Sequence, residues 1–214
     1  MTEEERKNIT QAVQTAKKRI AEAAIASGRK PEDITLVAAT KMNDAERVRA
    51  AIEAGVDVCG ENRVQELLEK YEQHAYDGKP LHFIGTLQTN KVKYLIGKVS
   101  LIESVSSVKL AKVIDKEAAK AGICQDILLE LNIGREESKL GIDPDEIDSV
   151  IQQVAQLEHV HVRGLMAIPP KTQPNQEKTL YFDRMSQLFI DISAKKYDNI
   201  TMDCLSMGMS ADYC

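Results

Sequence analysis

The sequence predicts an α/β protein in which short buried strands alternate with helices, as in a (β/α)8 TIM-type barrel. Seven short apolar runs are separated by longer amphipathic segments, and this alternation is typical of parallel strands joined by helical crossovers. Runs such as ITLVAA and ILLEL are almost continuously apolar, which is expected of strands buried on both faces. A doubly wound sheet is disfavoured because no GxGxxG motif follows the first strand.

A lead helix is predicted over residues 3–27, ahead of a barrel that begins at residue 34. Its apolar residues recur at helical spacing and form a single stripe, which consists of Ile9, Val13, Ala16, Ile20 and Ala24. Gly28 and Pro31 follow the stripe, and both residue types commonly end helices. The first element is therefore an amphipathic helix.

The elements that follow are predicted from the same two patterns. Strands are expected over residues 34–40, 56–60, 81–85, 99–105, 126–132, 161–168 and 200–207. Helices are expected over residues 45–54, 65–74, 107–121, 144–157 and 177–195. An irregular, proline-containing loop over residues 168–174 follows the sixth strand, at the end where barrel active sites are built.

The domain organisation is expected to be simple: a single domain over residues 1–214, because no linker rich in Gly, Pro or Ser divides the chain. A barrel needs an eighth strand to close, and only a few residues follow the seventh. We therefore expect a barrel truncated before its eighth strand. We also expect the native polypeptide to continue beyond Cys214 with a helix and a strand, because seven strands leave two unpaired edges.

The composition excludes several classes of protein. The 28 Lys+Arg and 33 Asp+Glu residues are interspersed and give a net charge of −5, so no nucleic-acid partner is expected. No apolar run approaches the roughly 20 residues that cross a bilayer, and the N-terminus is charged from its third residue, unlike a signal peptide. These features predict no membrane partner and a cytoplasmic location. The four cysteines lack CxxC spacing and are expected to be buried or idle thiols.

In a barrel, functional side chains lie where strands end, and Lys41 is the one cation at those positions. A lysine that closes an apolar strand is expected to be partly desolvated, which favours the neutral amine that forms Schiff bases with carbonyl groups. The alternative is an ordinary exposed lysine between a strand and a loop. Asn62, after the second strand, either belongs to a site or caps the following helix.

The segment Ser206-Met207-Gly208-Met209-Ser210 offers hydroxyls, a glycine and clustered backbone N–H groups, and it is either a phosphate cradle or a simple turn with an N-cap. His159 and His161 have no acidic or thiol residue beside them at ligand spacing, so no metal site is predicted. His82 and Cys204 lie inside apolar strands and are expected to be core residues.

Six motifs occur in one order along the chain: LVAATK, GENRVQE, HFIGTLQTNK, SKLGI, RGLMAI and LSMGMSADY. In combination they closely resemble the pyridoxal phosphate homeostasis protein family from residue 34 to the last residue. The resemblance implies a single-domain barrel similar to the N-terminal domain of alanine racemases. It also implies that pyridoxal 5′-phosphate (PLP) is bound through a Schiff base, without established enzymatic activity.

The resemblance assigns the PLP lysine to Lys41 and an asparagine beside the cofactor to Asn62. It places a methionine of the barrel mouth at Met166, and it assigns the loop near the phosphate to Ser206, Gly208, Met209 and Ser210. Family members often carry a second basic residue and a proline after the lysine, whereas residues 42–44 are Met-Asn-Asp here, with Asn43 or Asp44 as a ready N-cap. The family's eighth-strand arginine and Gly-Thr have no counterpart in the sequence.

Three functions are compatible with these features. The first is a monomeric PLP carrier that holds the cofactor reversibly and serves PLP-requiring apoenzymes. The second is a PLP-dependent racemase-like enzyme, which needs two bases; in the similar racemases the second is a tyrosine from an additional β-domain, and Tyr213 is no evident substitute. The third is a PLP-free enzyme with Lys41 as an aldolase-type lysine and Glu61 as its acid–base partner. The resemblance favours the first.

Overall fold

The computed structural model describes residues 1–136, 140–170 and 177–208, and of residues 177–179 it describes the backbone alone. The chain divides into two compact units, Met1–Phe83 and Ile84–Cys214. Each unit contains its own run of parallel strands with helices between them. In the described residues, no helix is long and apolar enough to cross a membrane.

The first unit contains three short parallel strands. After the lead helix, its strands and helices alternate in the order α1 Glu3–Ala26, β1 Val37–Ala39, α2 Ala45–Glu53, β2 Val58–Glu61, α3 Val64–Glu72 and β3 Leu81–Phe83. The central strand β2 pairs with β1 on one side and β3 on the other. All four residues of β2 are buried, which explains why the strand has no polar face in the sequence.

The lead helix α1 begins at a reciprocal cap. The hydroxyl of Thr2 accepts a hydrogen bond from the backbone N–H of Glu5, and the Glu5 carboxylate accepts one from the N–H of Thr2. Farther along the helix, Lys17 donates to the carbonyl oxygen of Gly55 at 2.7 Å and to a carboxylate oxygen of Asp57 at 2.8 Å. These bonds attach α1 to the loop that precedes β2.

The second unit contains four parallel strands. A 3-10 helix, Thr89–Tyr94, comes first, and the elements then follow as β4 Leu101–Val105, α4 Val108–Ala121, β5 Gln125–Glu130, α5 Ile147–Val154, β6 Val160–Ala167, α6 Glu177–Ser193 and β7 Ile200–Met207. Each strand pairs in parallel with the next, in the order β4, β5, β6, β7. Strands β4, β5 and β6 are mostly buried, as their continuous apolar runs predict, whereas most residues of β7 are half-buried or exposed.

A close backbone approach between β6 and β7 requires a glycine. Gly164 has a φ of 151°, and a Cβ atom at this position would lie 1.8 Å from the carbonyl oxygen of Cys204. Any side chain would therefore force the two strands apart. The glycine of the RGLMAI motif thus has a packing role.

The predicted α/β class is confirmed in both units, and all seven predicted strands and the predicted lead helix are present in the described residues. The helix predicted over residues 144–157 is instead a 3-10 helix, Pro144–Glu146, followed by a shorter α5, Ile147–Val154. The sequence analysis missed the 3-10 helix Thr89–Tyr94, which lacks an apolar helical stripe. Residues 171–174 of the predicted 168–174 loop lie outside the described residues.

Candidate functional site

Lys41 lies two residues beyond the end of β1, after Thr40, and its side chain is exposed. Ala39 is paired with Gly60 of β2, so Lys41 and Asn62 leave their strands at the same edge of the sheet. This is the carboxyl edge of parallel strands, where α/β proteins build their sites. The partial desolvation expected of Lys41 is not observed, because its side chain leaves the strand into solvent; its amine is instead freely accessible.

Thr40, the residue before Lys41, belongs to a buried polar cluster that joins β1, β2 and α3. We call it the Glu61 cluster, and its members are Thr40, Glu61, Glu66, Lys70 and Tyr76. One oxygen of Glu61, Oε1, accepts hydrogen bonds from the Thr40 hydroxyl at 2.7 Å, from Lys70 Nζ at 2.7 Å and from the Tyr76 hydroxyl at 3.1 Å. The Glu61 side chain is fully buried, so these donors replace the water that Oε1 has lost, whereas Oε2 has no hydrogen-bond partner among the described residues.

Lys70 is the only positively charged member of the Glu61 cluster. Its side chain is 6% exposed, and Nζ donates to Glu66 Oε1 at 2.7 Å and to the carbonyl oxygen of Thr40 at 2.8 Å, besides Glu61. A buried ammonium group has three protons to place, and here each has an acceptor. The ammonium group of Lys70 is therefore fully hydrogen-bonded.

The pKa shifts of the cluster follow from burial and pairing. Burial, followed by the charge of Glu61 and the hydrogen bond to it, raises the pKa of Tyr76, so that its hydroxyl stays a donor. Burial alone would raise the pKa of Glu66, but the hydrogen bonds from Lys70 and from the backbone N–H of Met42 outweigh it and lower the pKa. Glu66 is therefore ionised at neutral pH.

Asn62 does not cap the helix that follows it. Helix α3 begins at Val64, its N-cap residue is Arg63, and no side chain caps its N-terminus. This excludes the capping alternative for Asn62. Its side-chain oxygen is buried and has no hydrogen-bond partner among the described residues. A buried amide in this state is costly unless another group hydrogen-bonds to it, which suits a residue that contacts a ligand.

In the second unit, Met166 and Ser206 occupy paired positions on β6 and β7. Met166 is 3% exposed and packs against Leu101 and Leu128. The hydroxyl of Ser206 donates to a carboxylate oxygen of the buried Glu103 at 2.6 Å. The single hydroxyl proton of Ser206 is thus already engaged within this unit.

Gly208, the next residue of the predicted phosphate loop, is exposed with a φ of 151°, a conformation that favours glycine. Met209 and Ser210, which belong to the same prediction, lie outside the described residues. Of the four residues predicted for this loop, Ser206 and Gly208 are therefore the two that the structure describes.

Glu130 lies at the same level of the sheet as Met166, because the two residues are paired across β5 and β6. Burial raises the pKa of the Glu130 carboxyl to about 7. The protein therefore carries a carboxyl group next to Met166 that titrates near neutral pH. The apolar sequence pattern of β5 did not identify Glu130 as a candidate residue.

The remaining candidates are structural. His161 Nδ1 lies 3.0 Å from Asp126 Oδ1, and His159 Nδ1 lies 3.8 Å from Asp115 Oδ1, so each histidine faces its own aspartate. Within the described ranges, no group of three or more His, Cys, Asp or Glu side chains could hold a metal ion. Burial raises the pKa of Cys204 to about 11, which makes this thiol unreactive at neutral pH.

Sequence reasoning missed Lys70, Tyr76, Glu103 and Glu130. A signal for Lys70 was present, because it lies three residues after Leu67 on the inner stripe of α3, where an apolar residue is expected. A lysine on such a stripe is buried and must have acceptors, and Glu66 at i−4 supplies one of them. The partners on β1 and β2 depend on the fold and could not be inferred.

Comparisons with known proteins point to one family. Residues 6–214 match the family described as alanine racemase, N-terminal domain. The chain is 42% identical over 195 residues to the pyridoxal phosphate homeostasis protein of Aquifex aeolicus strain VF5, an alignment that covers 91% of this chain and 85% of that relative.

Two solved structures extend the comparison to the fold. An unknown protein from Bifidobacterium adolescentis has a TM-score of 0.93 at 34% identity, over 100% of this chain and 90% of its own. PipY of Synechococcus elongatus PCC7942, solved with PLP bound, has a TM-score of 0.77 at 31% identity, over 91% of either chain. These similarities confirm the predicted fold class and the predicted resemblance.

Proposed function

Because the chain belongs to the family of pyridoxal phosphate homeostasis proteins, we propose that it binds PLP reversibly on Lys41 and acts in PLP homeostasis. The observation that carries this proposal is the exposed side chain of Lys41 at the carboxyl edge of β1. The resemblance assigns the family's PLP lysine to this position. A relative with 31% identity, PipY, has been solved with PLP bound.

PLP supplies an aldehyde and a phosphate when it is bound. Lys41 would hold the cofactor by condensation of its neutral amine with that aldehyde, with one water released for each Schiff base formed. Addition of water would reverse this condensation and restore the amine. Reversibility is what a carrier needs, because the cofactor must be released unchanged.

The residues near Lys41 fit such a ligand. The buried side-chain oxygen of Asn62 lacks a donor among the described residues, and PLP has donors to offer, its phenolic hydroxyl and its protonated ring nitrogen. Met166, Ser206, Gly208, Met209 and Ser210 are proposed as further PLP residues from the resemblance alone. Because Ser206 donates to Glu103, we assign any phosphate contact of that loop to backbone N–H groups.

We further propose that the protein has no turnover of its own. Relatives that are 34–42% identical to this chain are named pyridoxal phosphate homeostasis proteins. The alternative, a PLP-dependent racemase-like enzyme, rests on the similarity to the alanine racemase N-terminal domain. PLP-requiring apoenzymes are the proposed recipients, and a cytoplasmic monomer that forms a single domain over residues 1–214 is the proposed state.

Borohydride reduction of the PLP-loaded protein, followed by peptide mapping, tests the function. We expect a pyridoxyl group on Lys41, visible absorbance from bound PLP in the unreduced protein, and loss of both in Lys41→Ala. Lys91→Ala, which removes another exposed lysine, is the matched control and should keep the label. A label found mainly on Lys91 or Lys139, or a wild-type protein that takes up no PLP, would overturn the proposal.

A further inference from the structure

We propose that Lys70 is a positioning residue for Lys41: with Glu66, it holds the backbone turn that carries Lys41, and it does not itself bind the aldehyde. This inference rests on the proposed function, since it concerns how the lysine of that site is presented. It is carried by the hydrogen bonds of Lys70 and Glu66 to the residues on either side of Lys41.

Lys41 lies in a turn that includes a backbone conformation rarely adopted by residues other than glycine. The backbone N–H of Asn43 donates to the carbonyl oxygen of Thr40 at 3.3 Å, which closes the turn over residues 40–43. Met42 has a φ of 61°, in the left-handed region that residues other than glycine rarely adopt. The Met42 side chain is 85% exposed, so side-chain packing does little to stabilise this conformation. Backbone hydrogen bonds must do so.

Two side chains of α3 provide those bonds, one on each side of Lys41. Lys70 Nζ donates to the carbonyl oxygen of Thr40 at 2.8 Å, and Glu66 Oε1 accepts from the backbone N–H of Met42 at 2.5 Å. The same Glu66 oxygen pairs with Lys70 at 2.7 Å, so the two bonds belong to one ion pair. The ion pair therefore fixes the backbone immediately before and after the reactive lysine.

The same contacts explain why Lys70 is not the reactive amine. Its side chain is 6% exposed, whereas Lys41 is exposed. All three protons of its ammonium group have acceptors, namely Thr40, Glu61 and Glu66. An amine attacks an aldehyde through its lone pair, and Lys70 would need to give up one of these bonds to expose one.

The test uses the full chain in two states, PLP-free and PLP-loaded, and three kinds of variant. Lys70→Met removes the cation, and Glu66→Ala removes the bond to Met42 while the Lys70–Glu61 pair stays. Lys17→Met is the matched control, because Lys17 also bonds one carbonyl oxygen and one carboxylate in the first unit, away from the turn. The double variant Glu66→Ala with Met42→Gly tests rescue, because glycine adopts the positive φ of position 42 without the hydrogen bond to Glu66.

Two measurements are made: amide hydrogen exchange of residues 41–44 in the PLP-free protein, and the rate of PLP uptake followed by absorbance. In Lys70→Met and Glu66→Ala we expect exchange in the turn to rise, and uptake to slow, by about three- to tenfold, the effect of one or two lost hydrogen bonds. The borohydride label should stay on Lys41. Lys17→Met should match the wild type in both, and the added Met42→Gly should restore most of the uptake rate.

The outcomes separate this inference from the proposed function. Unchanged exchange and unchanged uptake in Glu66→Ala, with wild-type protein labelled on Lys41, would overturn the positioning role and leave the function intact. A label on Lys70 in the wild type would also overturn it. If Lys70→Met fails to fold, Glu66→Ala decides, because it leaves the buried Glu61 with its cation. If the wild type takes up no PLP, the function fails, and hydrogen exchange still tests the turn.

Discussion

At the scale of single residues, Asn62 is the residue whose structural and functional roles can be separated most directly. It precedes α3 without capping it, whereas Thr2 caps α1 through the N–H of Glu5. In the PLP-free protein we expect Asn62→Ala not to lower the free energy of unfolding, because it removes a buried oxygen without a partner among the described residues, and Thr2→Ala to lower it by about 1 kcal/mol.

Urea unfolding and a PLP titration on the same two variants measure this difference. Asn62→Ala should weaken PLP binding, while Thr2→Ala, at the start of the lead helix, should keep the wild-type affinity. The opposite result, a stability loss with unchanged affinity in Asn62→Ala, would make Asn62 a structural residue.

Glu130 predicts a pH dependence of stability. Its pKa is raised by burial from 4.5 to about 7, so the folded protein holds this proton more tightly than the unfolded chain does. The stabilisation is present in full below pH 4.5 and is lost as the pH rises through 7. One pKa unit corresponds to about 1.4 kcal/mol, so the total loss is on the order of 3 kcal/mol.

Glu130→Gln removes this titration. We expect the variant to be more stable than the wild type at pH 8 and to lose that advantage near pH 4.5, as measured by urea unfolding at both values. Glu158→Gln, at an exposed position of the same unit, is the control and should show no such crossover. A constant difference between Glu130→Gln and wild type across the pH range would contradict the assignment.

At the scale of elements, the pairing of β6 with β7 depends on Gly164. Gly122 also has a left-handed φ, 67°, but a Cβ there would meet nothing within 4 Å, so Gly122→Ala should cost only the backbone strain, about 1–2 kcal/mol. In Gly164→Ala the new Cβ overlaps the carbonyl oxygen of Cys204, and overpacking adds about 1–3 kcal/mol to the strain.

Thermal unfolding of the two alanine variants compares these costs, and the unfolding temperature of Gly164→Ala should fall well below that of Gly122→Ala. The register of Met166 against Ser206 lies just beyond Gly164 on the paired strands, so their alignment should change as well. Equal unfolding temperatures would show that β6 and β7 separate at little cost.

The elements themselves were largely predictable, and the polar contacts were not. Apolar runs and helical stripes are local patterns, and they predicted the seven strands and the lead helix. The exposure of Lys41 and the turn at Met42 depend on bonds to Lys70 and Glu66, residues more than twenty positions away in the chain. The roles of Lys41 and Asn62 came from the resemblance, since a lysine or an asparagine at a strand end is common on its own.

At the scale of the whole molecule, the number of available bases distinguishes a carrier from an enzyme. A racemase removes a proton from one face of the substrate carbon and returns it on the other, so it needs two groups. The family resemblance assigns one of them to Lys41, and it places the second base of the racemases in an additional β-domain. The family that this chain matches over residues 6–214 is described as the N-terminal domain.

We therefore expect no steady racemase or transaminase turnover from this chain. The measurement is exchange of deuterium into the α-carbon of amino acids, with PLP alone as the reference, because the free cofactor catalyses slow exchange by itself. Exchange that rises in proportion to protein and disappears in Lys41→Ala would contradict this expectation. Such exchange would require a second base besides Lys41.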